Sequence, residues 1–377
     1  MMPMKILKKL ASPITSRYIA NATIVEGILK GTDKPFRCLF VENLARTNYE
    51  EYIVPRTYST PPQVVKRWRI WLPNLKRVLE KYSDTIDVGV AVLPDKCERH
   101  FQGKYAFKGG PIVRQIIDTS GTWENIFGSF RSGKKQFSNK VERKLGLTHQ
   151  ISKDLEDFEL FYYRMFVPHI KSQFDTLAHI DSYNDMRKYF LRGFLLFVVA
   201  DGIKMAGALC VIENRSLMFR RTGLLDGNEE FKKRGAQLAL YHFMIHYAFD
   251  NGLTSVNTME SRSLLNDGVY ANKREWGAAV FPVNDARTSV YYFITNKTSE
   301  VPTFFANNPA IINGEDGLYG LTGWPIRCKN TVLDKKELSK KYYSPGLKGM
   351  ILLAPDGDRT TVRFNEVETQ GLTTYIN

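Results

Sequence analysis

At 377 residues the chain exceeds what one hydrophobic core usually organises, which predicts two domains with room for a third. With 43% apolar and 24% charged residues it can fill buried cores, which excludes both a disordered chain and a small cross-linked scaffold. Its formal charge of +14 is uneven: residues 1–150 hold 26 basic against 13 acidic side chains, residues 151–377 hold 27 against 26, so any attraction for anions belongs to the N-terminal part.

The opening stretch MMPMKILKKLASPITSRYIA is basic but lacks an uninterrupted apolar core of about 7–15 residues, so it does not read as a secretory signal, and a cytoplasmic protein is expected. Between residues 36 and 120, apolar runs at Arg37 to Glu42, Asp87 to Leu93 and Gly110 to Ile117 surround a helix predicted over Pro62 to Tyr82, with Val64, Val65, Trp68, Leu72, Leu75, Val78 and Leu79 on it. This reads as a smaller basic α/β domain over residues 1–122. Trp123 to Phe130 leads into the densest basic stretch, Arg131 to Lys144, where Phe137, Val141 and Leu145 at helical spacing predict one packed and one positive face. That face is either simply solvated or an anion-facing wall, and no zinc finger or aromatic RNA-binding sequence accompanies it. His149 to Asp154 reads as a polar joint, with Ser152 or Asp154 capping a helix to which Phe158, Phe161, Tyr162, Met165 and Phe166 give an aromatic face before Pro168.

From Ser182 the pattern sharpens. Ser182 caps a short helix that Gly193 ends. Phe194 to Ala200 is a strand, Asp201-Gly202 a two-residue hairpin turn, Met205 to Ile212 its partner, and Ser216 to Gly223 a third antiparallel strand after the turn Glu213-Asn214-Arg215. A long helix with Leu238, Tyr241, His242, Ile245 and Phe249 on one face runs to Gly252. Thr254 to Met259 is a strand, Asn266 to Trp276 holds a short helix, and Ala278 to Val283 and Ser289 to Thr295 are strands. In the tail, Ile311 to Leu321, Met350 to Leu353 and Thr360 to Phe364 read as edge or sheet-completing strands, and Lys329 to Pro345 as a surface loop.

The longest apolar run, Phe194 to Ala200, is far short of the roughly 20 residues a membrane-spanning helix needs, so no transmembrane segment is expected, while peripheral contact stays open. Cys38, Cys97, Cys210 and Cys328 are widely spaced and form no CxxC pair, which predicts free, buried thiols. The histidines form no HExxH; His242 and His246 stand a helical turn apart without a third ligand in sequence and read as packing residues, so no metal is expected.

The order of three antiparallel strands, a helix, a fourth strand, a helix and two more strands resembles the GNAT acyltransferase fold, a mixed, mainly antiparallel sheet flanked by helices. The stretch from Met259 to Gly277, with a strand ending in a small polar loop and Lys273 on a short helix before Trp276-Gly277, is similar to the corresponding segment of the Fem-like and CelD-like branch. The resemblance covers roughly residues 123–325. It implies a transferase domain at 123–310 and a segment 311–377 completing the sheet of the first domain, the two being GNAT-like halves with the first reduced.

The resemblance also implies roles. Where a GNAT protein places its pyrophosphate-binding turn, this chain has Lys232, Lys233, Arg234, Gly235 and Ala236, with Lys232 at the first motif position and Gln237 at the last. A helix start with a glycine and neighbouring cations suits a phosphate, so acyl-CoA, acetyl-CoA foremost, is the implied co-substrate. Lys273 inherits the part of electrostatic stabiliser at the reacting carbonyl. Glu260 and Asp267 are the candidates for general base, Tyr270 for proton donor to the leaving thiolate, and Arg262 with Asn257 for holding the acceptor. Trp276 and Gly277 read as packing and a turn. The expected reaction is acyl transfer to an amine or hydroxyl of a sugar nucleotide, polysaccharide or cell-wall precursor by direct attack. Two alternatives stand beside it: an aminoacyl-tRNA donor, motivated by the basic N-terminal part, and a non-catalytic module that binds an anion or glycan.

Overall fold

The structure is a computed structural model that describes residues 18–42, 49–174, 180–283, 287–296, 298–324, 335–354, 359–364 and 374–376. Cys328 and the basic N-terminal stretch lie outside the described residues. In chain order the elements are β1 (Ile19–Ile28), β2 (Pro35–Glu42), α1 (Tyr49–Thr57), β3 (Gln63–Trp71), α2 (Leu75–Lys81), β4 (Val88–Pro94), β5 (Phe107–Gly109), β6 (Ile112–Asp118), α3 (Trp123–Ser129), α4 (Ser132–Ser138), β7 (Thr148–Ser152) and α5 (Leu155–Glu159). A π-helix (Leu160–Phe166) then leads to α6 (Val167–Phe174), α7 (Tyr183–Phe190), β8 (Gly193–Ala200), β9 (Ile203–Glu213), β10 (Ser216–Leu224), α8 (Glu229–Lys233), α9 (Ala236–Asp250), β11 (Ser255–Arg262), α10 (Gly268–Glu275) and β12 (Ala279–Pro282). The rest is β13 (Thr288–Ile294), α11 (Val301–Asn307), β14 (Ala310–Asn313), β15 (Leu318–Gly323), α12 (Lys335–Tyr342), β16 (Leu347–Leu353), β17 (Arg359–Phe364) and β18 (Thr374–Ile376). Among the described residues no helix is long and apolar enough to cross a membrane.

The chain divides into two compact units, one from Met1–Val113, Arg262–Tyr270 and Pro282–Asn377, the other from Arg114–Ser261 and Ala271–Phe281. The first unit holds a sheet of order β3-β1-β2-β4-β13-β5. Side chains alternate across a strand, and β4 shows the result: Val88, Val90 and Val92 enter one buried cluster with Phe36, Phe40 and Phe304, while Ala91 and Leu93 enter another with Ile24, Leu75 and Leu79. The stretch Pro62 to Tyr82 is therefore not one helix. Its first half is β3, antiparallel to β1 from Ile19↔Trp71 onward, and only Leu75–Lys81 is α-helical. β-branched Val64 and Val65 and the aromatic Trp68 and Trp71 favour a strand, and Pro73 opens the turn that separates it from the helix. The strand Thr288–Ile294, expected in the transferase sheet, instead pairs antiparallel with β4 and β5. The tail strands do not complete that sheet but form their own, β14-β15-β16-β17-β18, and the expected surface loop contains the helix Lys335–Tyr342.

The second unit is built on the sheet β12-β6-β11-β10-β9-β8-β7. The predicted order of β8, β9, β10, α9 and β11 is present: the first three are antiparallel in sequence, and β11 lies parallel to β10. Asp201 (φ 52°) and Gly202 (φ 74°) make the first hairpin turn, and Asn214 (φ 50°) and Arg215 (φ 61°) the second. Both pairs have the positive φ that two-residue hairpins of the favoured twist require. The predicted polar joint at His149 is the strand β7, antiparallel to β8. The helix with the aromatic face continues through Pro168. A π-helical turn, in which the Val167 N–H donates to the Tyr162 carbonyl, precedes the proline and accommodates its missing donor. The basic stretch is helical only over Ser132–Ser138, then turns at Asn139, and Lys134 points inward rather than onto a positive face.

Helix α9 is buried on more than the predicted face, with Ala236, Ala239, Leu240, Phe243, Met244 and Ala248 inside as well as Tyr241, His242 and Ile245. His242 is 5% exposed, its Nδ1 3.1 Å from Ser138 Oγ, and His246 lies tilted against Trp123 at 3.7 Å between ring centroids. Burial above all, then the neighbouring His246 and His149, push His242 down to about 3. An unfolded histidine takes a proton below about 6.5, whereas this one resists until far lower, so its contribution to stability is complete above that value and is lost as pH falls. Urea unfolding at pH 5 is expected to show about 2 kcal/mol less stability than at neutral pH from this residue, and His242→Gln should flatten the difference. Cys38, Cys97 and Cys210 are free and buried.

Candidate active site

In the second unit, β10 and β11 are in register for only three pairs, Ser216↔Ser255, Leu217↔Val256 and Met218↔Asn257. Both strands are distorted just beyond. In β10 the register with β9 slips between Phe219 and Arg221, so Arg220 is an extra, bulged residue. In β11 the buried Asn257 accepts the Met259 N–H on its Oδ1 at 2.9 Å, and Met259 is left-handed with φ 63°. A side-chain acceptor replaces the sheet partner, and the parallel pairing ends there.

Lys273, on α10, is 4% exposed, and its Nζ donates to the carbonyls of Met259 at 3.2 Å and Glu260 at 2.9 Å. An ammonium needs acceptors to be buried, and the distorted end of β11 supplies them. Glu260 itself is engaged by Arg114, whose Nη2 and Nε lie 2.9 and 3.2 Å from its Oε1. Arg220 reaches Met259 Sδ at 4.0 Å and stacks its guanidinium 4.0 Å over the Tyr189 ring. Beneath, the fully buried Gln115 accepts the Ser261 hydroxyl on Oε1 at 2.8 Å and the Thr258 hydroxyl on its backbone carbonyl at 2.8 Å. Of the residues singled out from sequence, Asn257, Glu260 and Lys273 are thus brought together at the end of β11.

The turn into α9 is at Lys232 to Ala236. Gly235 is left-handed at φ 91°, occupies the cap position and brings no side chain to cap the helix, so the first-turn N–H groups have no side-chain cap. A Cβ there would meet Phe137 Cε2 at 2.7 Å, which with the positive φ requires glycine. The cations beside it are not free: Lys232 pairs with Glu229 at 3.2 Å, Lys233 with Glu230 at 2.6 Å and Arg234 with Asp201 at 2.8 Å. Exposed pairs of this kind are worth no more than about 1 kcal/mol, so an incoming phosphate can displace them.

Asp267, Tyr270 and Arg262 fall in the first unit. Asp267 is buried, accepts the Tyr270 N–H at 2.9 Å and thereby starts α10, and its other oxygen takes a hydrogen bond from the Tyr52 hydroxyl. Burial, then that carboxylate, push the Tyr52 phenol up to about 12. Arg56 and Arg262 lie 3.7 and 4.0 Å from the centre of the Tyr52 ring. Tyr270 is wholly buried. Trp276, also fully buried, lies parallel to Tyr241 at 6.1 Å, and Gly277 has φ 79°, as packing and turn residues should.

Sequence reasoning did not single out Arg114, Arg220 or Tyr52. The signal for Arg220 was legible: two adjacent arginines inside an apolar strand cannot both alternate outward, and a bulge resolves them. Among the described residues no group of three or more His, Cys, Asp or Glu side chains is arranged to hold a metal ion.

Comparison with known proteins finds no sequence family and a remote similarity to several solved structures. No family model matches the chain and no curated protein matches it. The chain is similar to the crystal structure of FemX, at TM-score 0.39 and 10% identity over 73% of this chain and 85% of that one. It is similar also to L-PGS from Bacillus licheniformis, at TM-score 0.33 and 9% identity over 75% and 88% of the two chains. A putative acetyltransferase of the GNAT family from Novosphingobium aromaticivorans aligns at TM-score 0.29 and 12% identity over 58% and 78%.

Proposed function

We propose that the chain is an acyltransferase that moves an acyl group from acyl-CoA to an amine or hydroxyl, with the opening between β10 and β11 as the place of reaction. The observation that carries this reading is the end of parallel pairing at Met218 and Asn257, flanked by the Arg220 bulge and by a buried ammonium on the β11 side. Separated strands offer main-chain groups with no ladder partner, which a thioester can take up as a short extra strand would. The N–H groups after Gly235 receive the pyrophosphate. The acceptor's lone pair attacks the thioester carbonyl as its proton passes to Glu260, the oxyanion gains from the nearby cations Lys273 and Arg220, and its collapse breaks the C–S bond, the leaving sulfur taking the proton from Glu260 to depart as the thiol. Glu260 serves as base when the acceptor displaces Arg114 from it. Asp267, Tyr270 and Arg262 shape the start of α10 and its surroundings. A sugar nucleotide, polysaccharide or cell-wall precursor is the acceptor class we favour.

Calorimetric titration with acetyl-CoA and desulfo-CoA tests the donor. Gly235 is a poor place for the control, since any side chain there is strained. Gln237→Glu is better: a carboxylate in the first turn stabilises the helix and repels a phosphate. Binding in the wild type that weakens at least tenfold in Gln237→Glu is expected. If the wild type binds neither compound, the acyl-CoA donor is wrong. The charge excess of residues 1–150 supports aminoacyl-tRNA as the second donor, which would show as a steep loss of binding with added salt.

A further inference from the structure

Strand β3 is the outermost strand of the first unit's larger sheet, pairing with β1 on one side, and no described strand covers its other edge. Gln63, Val64, Val65, Lys66 and Arg67 are exposed in succession, on both faces of the strand. Such a run is unusual, because one face of a strand normally packs. The apolar members stand well out: Val64 is 48% exposed, Val65 47% and Trp71 42%. Between residues 63 and 82 the sequence holds six basic side chains, Lys66, Arg67, Arg69, Lys76, Arg77 and Lys81, against one acidic, Glu80. Aromatic rings lie among them, with Lys66 Nζ donating to the Tyr82 hydroxyl at 2.9 Å and lying 5.1 Å over Trp68, and Trp71 beside Tyr18 at 5.6 Å.

Charge on an edge strand guards against pairing with another chain, and Lys66, Arg67 and Arg69 serve that end. The guard leaves Val64, Val65 and Trp71 unexplained. A second copy of the strand would set like charges against each other. A nucleic acid would satisfy the cations, while the two valines would gain nothing from it. A surface that offers anionic headgroups over an acyl layer satisfies all three classes of side chain at once.

We propose that β3 with the start of α2 is a docking edge for anionic phospholipid surfaces, with Val64, Val65 and Trp71 entering the interface and the basic residues facing the headgroups. The assignment is independent of the acyl-transfer reading. Its test is sedimentation of the full chain with vesicles of phosphatidylcholine alone and of phosphatidylcholine with one-third phosphatidylglycerol, together with tryptophan quenching by brominated lipid. Binding to the anionic vesicles is expected to be at least tenfold tighter, to fall about fivefold for each of Arg69→Gln and Lys76→Gln, and to be largely lost in the double variant Val64→Ser/Val65→Ser. Quenching in the unaltered protein should drop in Trp71→Phe, a readout that needs no charge change. Equal partition into both vesicle types, or anionic binding that survives the valine replacements, overturns the proposal. Survival together with competition by single-stranded RNA would mark a polyanion-binding edge instead.

Discussion

Replacing Lys273 by methionine is expected to lower the unfolding free energy by about 2–4 kcal/mol, measured by urea denaturation at neutral pH. The side chain keeps its length and apolar stem, so little packing is lost, but the carbonyls of Met259 and Glu260 lose the donor that approaches them at 3.2 and 2.9 Å. Acceptors stripped of a partner in a buried place carry a desolvation penalty that exceeds the net worth of the bond itself. The same change removes a positive charge from the end of β11. On the acyl-transfer reading, turnover should then fall by at least two orders of magnitude, the loss typical when one oxyanion-stabilising group is removed. A variant that keeps full stability would show that the ammonium does not hold the strand end.

Gly223→Ala is the second large effect, about 3 kcal/mol of lost stability in the same assay, at the upper end of what overpacking costs. A Cβ on this β10 residue would stand 2.5 Å from the Phe166 amide nitrogen and 2.6 Å from the Met165 carbonyl oxygen. These are backbone atoms of the π-helix, which cannot rotate aside as a side chain could. Gly207 meets the Phe161, Met165 and Phe197 side chains at 2.9, 3.0 and 3.1 Å, longer contacts than those at Gly223 and to side chains rather than backbone, so Gly207→Ala should cost less. Equal effects at the two positions would mean that the π-helix itself shifts easily.

Local pattern was enough to read β8 to β11 and the helix between them, because Asp201-Gly202 and Gly252 punctuate the chain and the apolar runs between them have one clear period. It failed at Pro62 to Tyr82, where Val64, Val65, Trp68 and Leu72 satisfy a helix and a strand alike, and the neighbouring β1 decided for a strand. β13 was legible as a strand, while its partners were not, since pairing with β4 joins residues some two hundred positions apart and leaves no local trace. The site divides in the same way. Asn257, Glu260 and Lys273 are close in sequence and could be grouped. Arg114 is 146 residues from Glu260, and Tyr52 is 215 from Asp267. The burial of Lys273 was also hidden, because Lys-Arg-Glu in a short helix has the composition of a solvated face.

The placement of β13 bears on how the chain assembles as it leaves the ribosome. Residues 114–281 contain the whole of the second unit, which can collapse as soon as they are made. The first unit's larger sheet has β13 between β4 and β5, so those two strands must wait for residues 288–294 before the sheet closes. Until then β4, with Val88, Val90 and Val92, presents an apolar edge early in synthesis that only a late segment can cover. A nascent chain stalled before residue 288 is therefore the form most exposed to misassociation and most in need of a chaperone, whereas one stalled just after β13 has its sheet complete.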